Sequence, residues 1–293
     1  MDTISAVFDQ LVVVKGAGDL ASGVAYRLRQ SGFMVVMTEI AQPTVVRRGV
    51  SFAQAVFDGA TVVEGVCARL LATADEALAV ARTREIVVLI DPHAHVVAQL
   101  RPGVLIDAII AKRNTGTRID DAPVVIGLGP GFRAGVDVHA VVETNRGHRL
   151  GRVIVHGEAE RDTGVPAPVG GHGAERVLRA PAHGSFTGVA AIGDRVATDE
   201  VLGYVAGEPV RSPFDGCLRG LIQTGVAVQK GMKIGDVDPR ATREHCFTIS
   251  DKALAIGGGV LEAVLYFLDR PELPRPSRSL RPRSRSYALP APR

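Results

Sequence analysis

The 293-residue chain is 46% hydrophobic and 22% charged, with a formal net charge of +3, a balance and length that allow a large buried core and about two domains. The charge is local: from Pro271 onward stand six arginines and one glutamate, and the rest of the chain holds 28 basic against 30 acidic residues, a near-neutral body that argues against nucleic acid as a partner. No apolar run nears the ~20 residues that cross a bilayer, no basic start and apolar segment open the chain, and Cys67, Cys217 and Cys246 form no CxxC pair, so the expectation is a cytoplasmic protein without membrane contact, disulfide framework or zinc knuckle.

The first element is a β-branched strand, Leu11 to Lys15, that breaks at Gly16-Ala17-Gly18 and leads into apolar residues at helical spacing from Leu20 to Gln30. Gly32 ends that helix, and a second strand from Phe33 to Glu39 completes a βαβ unit suited to parallel pairing. The break itself, Gly16-Ala17-Gly18-Asp19-Leu20-Ala21, fits GxGxxA between strand and helix. Gly16 permits the tight turn, Gly18 lets backbone approach a phosphate, and Ala21 allows close helix packing, while the helix N-terminus offers unpaired N–H groups. Glu39 ends the second strand, where a carboxylate would accept the hydroxyls of an adenosine ribose. Asp19 opposes this reading, since a carboxylate in a phosphate loop repels pyrophosphate unless it serves the helix terminus.

Thr61 to Glu64 and Glu85 to Asp91 read as buried strands flanking an Ala-rich helix from Thr73 to Thr83, an alternation that supports a doubly wound sheet. Cys67 follows the first of these strands and is a candidate sulfur or selenium carrier if its thiolate is exposed and stabilised by positive charge. His93 and His95 stand too isolated to define a metal site, and no metal is expected. Further strands are read at Val104 to Ile110, Val124 to Leu128, Ala140 to Glu143 and Val153 to Val155. Between them, Lys112-Arg113-Asn114-Thr115-Gly116-Thr117 and Gly127-Leu128-Gly129-Pro130-Gly131-Phe132-Arg133 have the make-up of anion-accepting loops, with Asn114, Gly129 and Gly131 as candidate binding positions. His139 and Glu143, with His148 beyond, are candidate acid/base groups; strand alternation also puts the first two on one face with no catalytic role.

From Arg179 the chain repeats itself at an offset of 32 residues, matching Pro181 with Pro213, Gly184 with Gly216, Gly188 with Gly220, Gly193 with Gly225 and Val205 with Val237. Each copy reads as a β-hairpin module, and the pair resembles the barrel-sandwich hybrid fold of biotinyl and lipoyl domains. Those carriers present a modified lysine in the hairpin joining their halves; Ala206-Gly207-Glu208-Pro209 stands there in this chain, which favours a docking or substrate-handling module.

The expected fold is therefore α/β: a Rossmann-like parallel-sheet region over residues 1–175 and a small all-β barrel-sandwich-hybrid-like domain over 176–240. A C-terminal helix packing back follows over 241–270, then a disordered Pro/Arg/Ser-rich tail over 271–293. Parallel strand faces left exposed would pair two chains as a homodimer.

The stretches VVVKGAGDLASGVAYRLRQSGF, VVMTEIAQPTVVRRGVSFAQAVFDG, AKRNTGT and GLGPGFRAGVDVHAVVETNRGHRLGRVI, with the terminal repeat, resemble the YqeB-type family of selenium-dependent molybdenum hydroxylase accessory proteins. The resemblance runs from Leu11 to about Asp269 and carries Gly16, Gly18, Asp19, Glu39, Arg47, Arg48, Asn114, Gly129, Gly131, Asp137, His139 and Glu143 as motif positions without assigning their chemistry. It implies a role in maturation or insertion of the molybdenum cofactor, with a molybdenum hydroxylase or its maturation machinery as partner. A molybdopterin-type cofactor or a dinucleotide would then sit at the glycine loop as the phosphate ligand. Two other readings stay open: an NAD(P)-dependent oxidoreductase, and a non-catalytic docking protein.

Overall fold

The computed structural model describes residues 10–162, 164 and 170–270. The tail read as disordered, 271–293, lies outside the described residues.

The chain opens with β1 (Leu11–Lys15), α1 (Asp19–Gln30) and β2 (Met34–Glu39). A short helix α2 (Ala55–Asp58) precedes the hairpin β3 (Ala60–Val63) and β4 (Val66–Leu71), followed by α3 (Ala74–Ala81), β5 (Ile86–Ile90), α4 (Val96–Leu100) and β6 (Val104–Asp107). Then come β7 (Val124–Leu128), β8 (Arg133–Ala134), β9 (Ala140–Val142), β10 (Val153–Ile154) and β11 (Gly157–Glu158). Nine of these strands form one sheet in the order β10-β9-β7-β6-β1-β2-β5-β4-β3. Only its two edges are antiparallel, β10 on β9 and β3 on β4. The sheet is mixed and mostly parallel, with β4 placed outside β5.

Side-chain alternation divides the central strands between two apolar layers. Val12 and Val14 of β1 face a core shared with Val24 and Leu28 of α1, whereas Leu11 and Val13 face one shared with Ala77 and Ala81 of α3. Thr61 to Glu64, expected as a buried strand, is instead the exposed edge of a hairpin, with Val62 62% exposed. The missed partner is β4, whose Val66-Cys67-Ala68 alternation is short and interrupted by Arg69.

The second part comprises β12 (Val177–Arg179), β13 (Gly184–Gly188), β14 (Arg195–Val196), β15 (Val201–Val205), β16 (Glu208–Arg211), β17 (Gly216–Leu221), β18 (Ala227–Val228) and β19 (Lys233–Asp238). They form two four-stranded sheets, β12-β19-β17-β14 and β16-β15-β13-β18, and no closed barrel is formed among the described residues. The 32-residue repeat relates one sheet to the other strand for strand. Each copy also sends strands to both sheets: β13 pairs with β15 inside the first copy but with β18 of the second, and β14 pairs with β17. The halves interlock around Phe186, Leu202, Leu218, Ile234 and Val237, so neither hairpin has a core of its own. Equivalent glycines keep equivalent strain-free turns, Gly193 at φ +96° and Gly225 at φ +92°.

The last helix, α5 (Asp251–Leu268), begins with Ser250 accepting from the Ala253 N–H and returns to the α/β part along α1. Small residues make the crossing close: a Cβ on Gly23 would meet Ala253 Cβ at 2.7 Å, and one on Gly257 would meet Gly23 O at 2.7 Å.

Candidate functional site: a glycine-turn cleft where the sheet order switches

After β1 the chain builds outward through β2 and β5, then returns to the other side of β1 with β6, β7 and β9. The order reverses between β1 and β6, and the loops leaving their carboxyl ends must part there, a geometry that leaves a crevice beyond the strand ends. A cavity of about 610 Å³ occupies that position. It is lined by Gly16, Gly18, Asp19 and Ala21 from the first turn, Glu39 from β2, and residues 108–110 after β6.

Gly16 has φ +90°, and a Cβ there would stand 3.1 Å from Ala108 O, so turn and β6 loop approach as backbone against backbone. Gly18 differs: its φ is −66°, and nothing lies within 4 Å of where a Cβ would point. It is the N-cap of α1, and the helix has no side-chain cap there, so its N-terminal amides face the crevice without a competing side-chain acceptor at the cap. Asp19 occupies the first turn of the helix, with Oδ2 3.8 Å from Arg47 Nη1.

Glu39 is tied to the glycine turn. Its Oε2 accepts from the Ala17 N–H at 2.9 Å and its Oε1 from the Ile40 N–H at 2.8 Å. Burial raises its pKa from the ordinary glutamate value, against the lowering effect of those two amides. Ala17 is held from the other side, its carbonyl accepting from the Ala53 N–H at 2.9 Å and from the Ser22 hydroxyl at 3.2 Å.

The floor contains a charge pair that sequence reading passed over. Lys15 and Asp107 end β1 and β6 as register partners, with Nζ 3.2 Å from Oδ2. Thr117 joins them: Lys15 Nζ donates to Oγ1 at 2.5 Å, and that hydroxyl donates to Asp107 Oδ2 at 2.5 Å. All three are nearly sealed from water, at 7%, 1% and 2% exposure, which is tolerable only because each charge is paired and hydrogen-bonded. The signal available was a lone charge closing each of two apolar strands, VVVK and VLID.

The remaining candidates are placed elsewhere or spent on structure. Asn114 shapes the turn that delivers Thr117: its Oδ1 accepts from the Gly116 and Thr117 N–H groups, and its Nδ2 donates to Thr117 O. Thr115 and Gly116 of that turn line the cleft. Gly129 and Gly131 lie outside it; a Cβ on Gly131 would be 2.5 Å from Arg113 Cα, and one on Gly129 would collide with the Thr144 hydroxyl. Glu143 is buried as a staple, Oε1 accepting from the Asn145 N–H and Oε2 from the Glu160 N–H, each at 2.7 Å. His139 Nδ1 accepts from the Val125 N–H at 3.0 Å and its ring faces a separate depression. Cys67 sits half-buried on the edge strand β4. Among the described residues no group of three metal-ligating side chains assembles, and no helix is long and apolar enough to cross a membrane.

The fold and cleft together define a two-part α/β protein with a ligand-sized crevice at the switch point of its sheet. Over 259 residues, 88% of its length, the chain is 51% identical to a protein of Escherichia coli K12 called uncharacterized protein YqeB. This similarity supports kinship with YqeB over that span. The match covers 48% of that relative, so the chain spans about half the length of the protein it matches. No protein-family model matches. Among solved structures, an aspartoacylase family protein of Mesorhizobium loti aligns at 12% identity over 78% of this chain and 84% of that one, with a TM-score of 0.27. The product-bound ectoine utilization protein EutE (DoeB) of Ruegeria pomeroyi aligns at 12% identity over 78% and 85%, with a TM-score of 0.23. Likenesses of that size carry no argument about fold or function.

Proposed function

We propose that this chain binds a phosphorylated ligand of nucleotide or pterin type in the switch-point cleft and serves as an accessory protein preparing or inserting the molybdenum centre of selenium-dependent hydroxylases in the cytoplasm. The observation that carries the binding step is the uncapped α1 N-terminus with Gly18 open to the cleft, since unpaired amides and a missing Cβ let a phosphate reach the backbone. The accessory role rests on the family resemblance, which the similarity to YqeB supports at the level of kinship alone. In this reading the α/β part works as a Rossmann-like ligand domain. The paired sheets act as a barrel-sandwich-hybrid-like module that docks a hydroxylase or its maturation machinery.

Native mass spectrometry of gently purified protein tests the reading. A co-purifying pterin or nucleotide mass that is absent from Gly18→Asp supports it, and bound NAD would favour hydride transfer instead. A wild-type protein that is empty and also ignores added nucleotide and pterin ligands would contradict it.

A further inference from the structure

Beyond the glycine-turn cleft lies a second compartment of about 410 Å³ between the α/β part and the paired sheets. The two share Asp19, Leu20, Arg47, Ile110 and Lys233 along their common border, so a ligand leaving the α1 N-terminus enters the second compartment directly. Eight lysine or arginine side chains line it against four carboxylates.

Several of these cations are held without matching anions. Arg47 and Arg219 are 7% and 9% exposed, and the Nε of each is buried with no hydrogen-bond acceptor. Arg47 spends Nη2 on the carbonyls of His245 and Thr248, while its Nη1 stays 3.8 Å from Asp19, beyond hydrogen-bond distance. Arg219 reaches Asp236 and Asp238 only at 3.9 and 3.8 Å. Asp236 is claimed more closely by Arg176. Lys233 and Lys252 have no carboxylate within ion-pair distance among the described residues. Burial lowers the pKa of Arg47, with the charge of Arg219 adding to it, and burial likewise lowers the half-buried Lys252, while Lys233 stands exposed where the two compartments meet. A folded protein that gathers cations from both of its parts and leaves them under-neutralised is arranged for an anion they can share.

Resting on the nucleotide-type reading of the adjoining cleft, we infer that the ligand carries an oligophosphate of at least two phosphates in series. The first lies on the α1 N-terminus and the next between Arg47, Lys233 and Lys252 at the junction of the two parts. Chemically this is the diphosphate or triphosphate arm of a nucleotide, and its binding would draw the junction together.

The test is calorimetric titration of the full chain with inorganic triphosphate and, separately, with AMP, for wild type, Gly18→Asp, and the double variant Lys233→Gln with Lys252→Gln. Triphosphate should bind wild type, and both Gly18→Asp and the lysine double variant should bind it more weakly, the double variant by at least about tenfold. AMP should be lost in Gly18→Asp, and an unaffected AMP titration there would count against the glycine-loop reading alone. The oligophosphate inference is overturned if wild type ignores triphosphate, or if the double variant binds it as wild type does. Should the double variant melt early, Lys252→Gln alone must still weaken triphosphate by about threefold.

Discussion

Lys15 and Asp107 close two neighbouring parallel strands on either side of the switch in sheet order, their charges 3.2 Å apart and both under a tenth exposed. The pair lies beneath the cleft and carries Thr117, and with it the turn that forms one wall. Removing one partner strands a buried charge. Lys15→Met or Asp107→Asn should therefore each cost about 3–5 kcal/mol of stability, read from urea unfolding. The double replacement Lys15→Met with Asp107→Asn should cost much less than the two single losses added together. Additive losses would show that the pair is not coupled.

The crossing of α1 and α5 depends on absent side chains. With Ala253 Cβ 2.7 Å and Ala253 O 2.8 Å from the position of a Cβ on Gly23, neither neighbour is a flexible tip that can swing aside. Gly23→Ala should lower stability by about 1–3 kcal/mol even though alanine is the better helix former. A stabilised variant would mean that the helices do not cross so closely.

Glu39 gives a pH signature with a definite sign. Because burial raises its folded pKa, the unfolded chain loses this proton first, and the native state binds more protons in the interval between. Stability must fall as pH rises from about 4.3, the free glutamate value, to the folded pKa, and then level off. Urea midpoints of wild type and Glu39→Gln across that interval should differ in slope, wild type falling more steeply. Parallel curves would remove the assigned role of burial.

Cys217 and Cys246 face each other with sulfurs 3.4 Å apart and are fully buried, and burial pushes the Cys246 thiol up to about 12. A disulfide-exchange reagent at pH 8 should modify Cys67 alone in the native protein, the other two reacting only at the rate of unfolding. Fast labelling of all three would show that the β part opens readily.

Local features were readable and contacts between distant segments were not. The glycine turn, its helix and Glu39 are contiguous, and periodicity alone orders them as strand, turn, helix, strand. The 32-residue repeat was equally plain, yet periodicity cannot show that its copies exchange strands, because β13 meets both β15 and β18. Of the junction's cations, Arg219, Lys233 and Lys252 come from the other half of the chain, so no local motif connects them to Gly18. A trace of them was present: Arg219, Lys233 and Asp236 stand where the first copy of the repeat has Thr187, Val201 and Tyr204. Charges that break an otherwise apolar or neutral repeat mark positions used for something other than packing. Asn114 and Glu143 misled in the opposite sense, as polar residues spent on backbone amides in turns that sequence alone does not show.

The central claim is that a phosphate reaches the backbone at Gly18, and one substitution tests it with little disturbance of the fold. Gly18 has an ordinary negative φ, no atom within 4 Å of a Cβ, and the N-cap position of α1, where aspartate is a favoured residue. Gly18→Asp should therefore fold with at least wild-type stability while placing a carboxylate in the phosphate position. Titrating wild type and Gly18→Asp side by side with AMP should show binding only to wild type, at matching melting temperatures. Equal affinity in the two proteins would contradict the account.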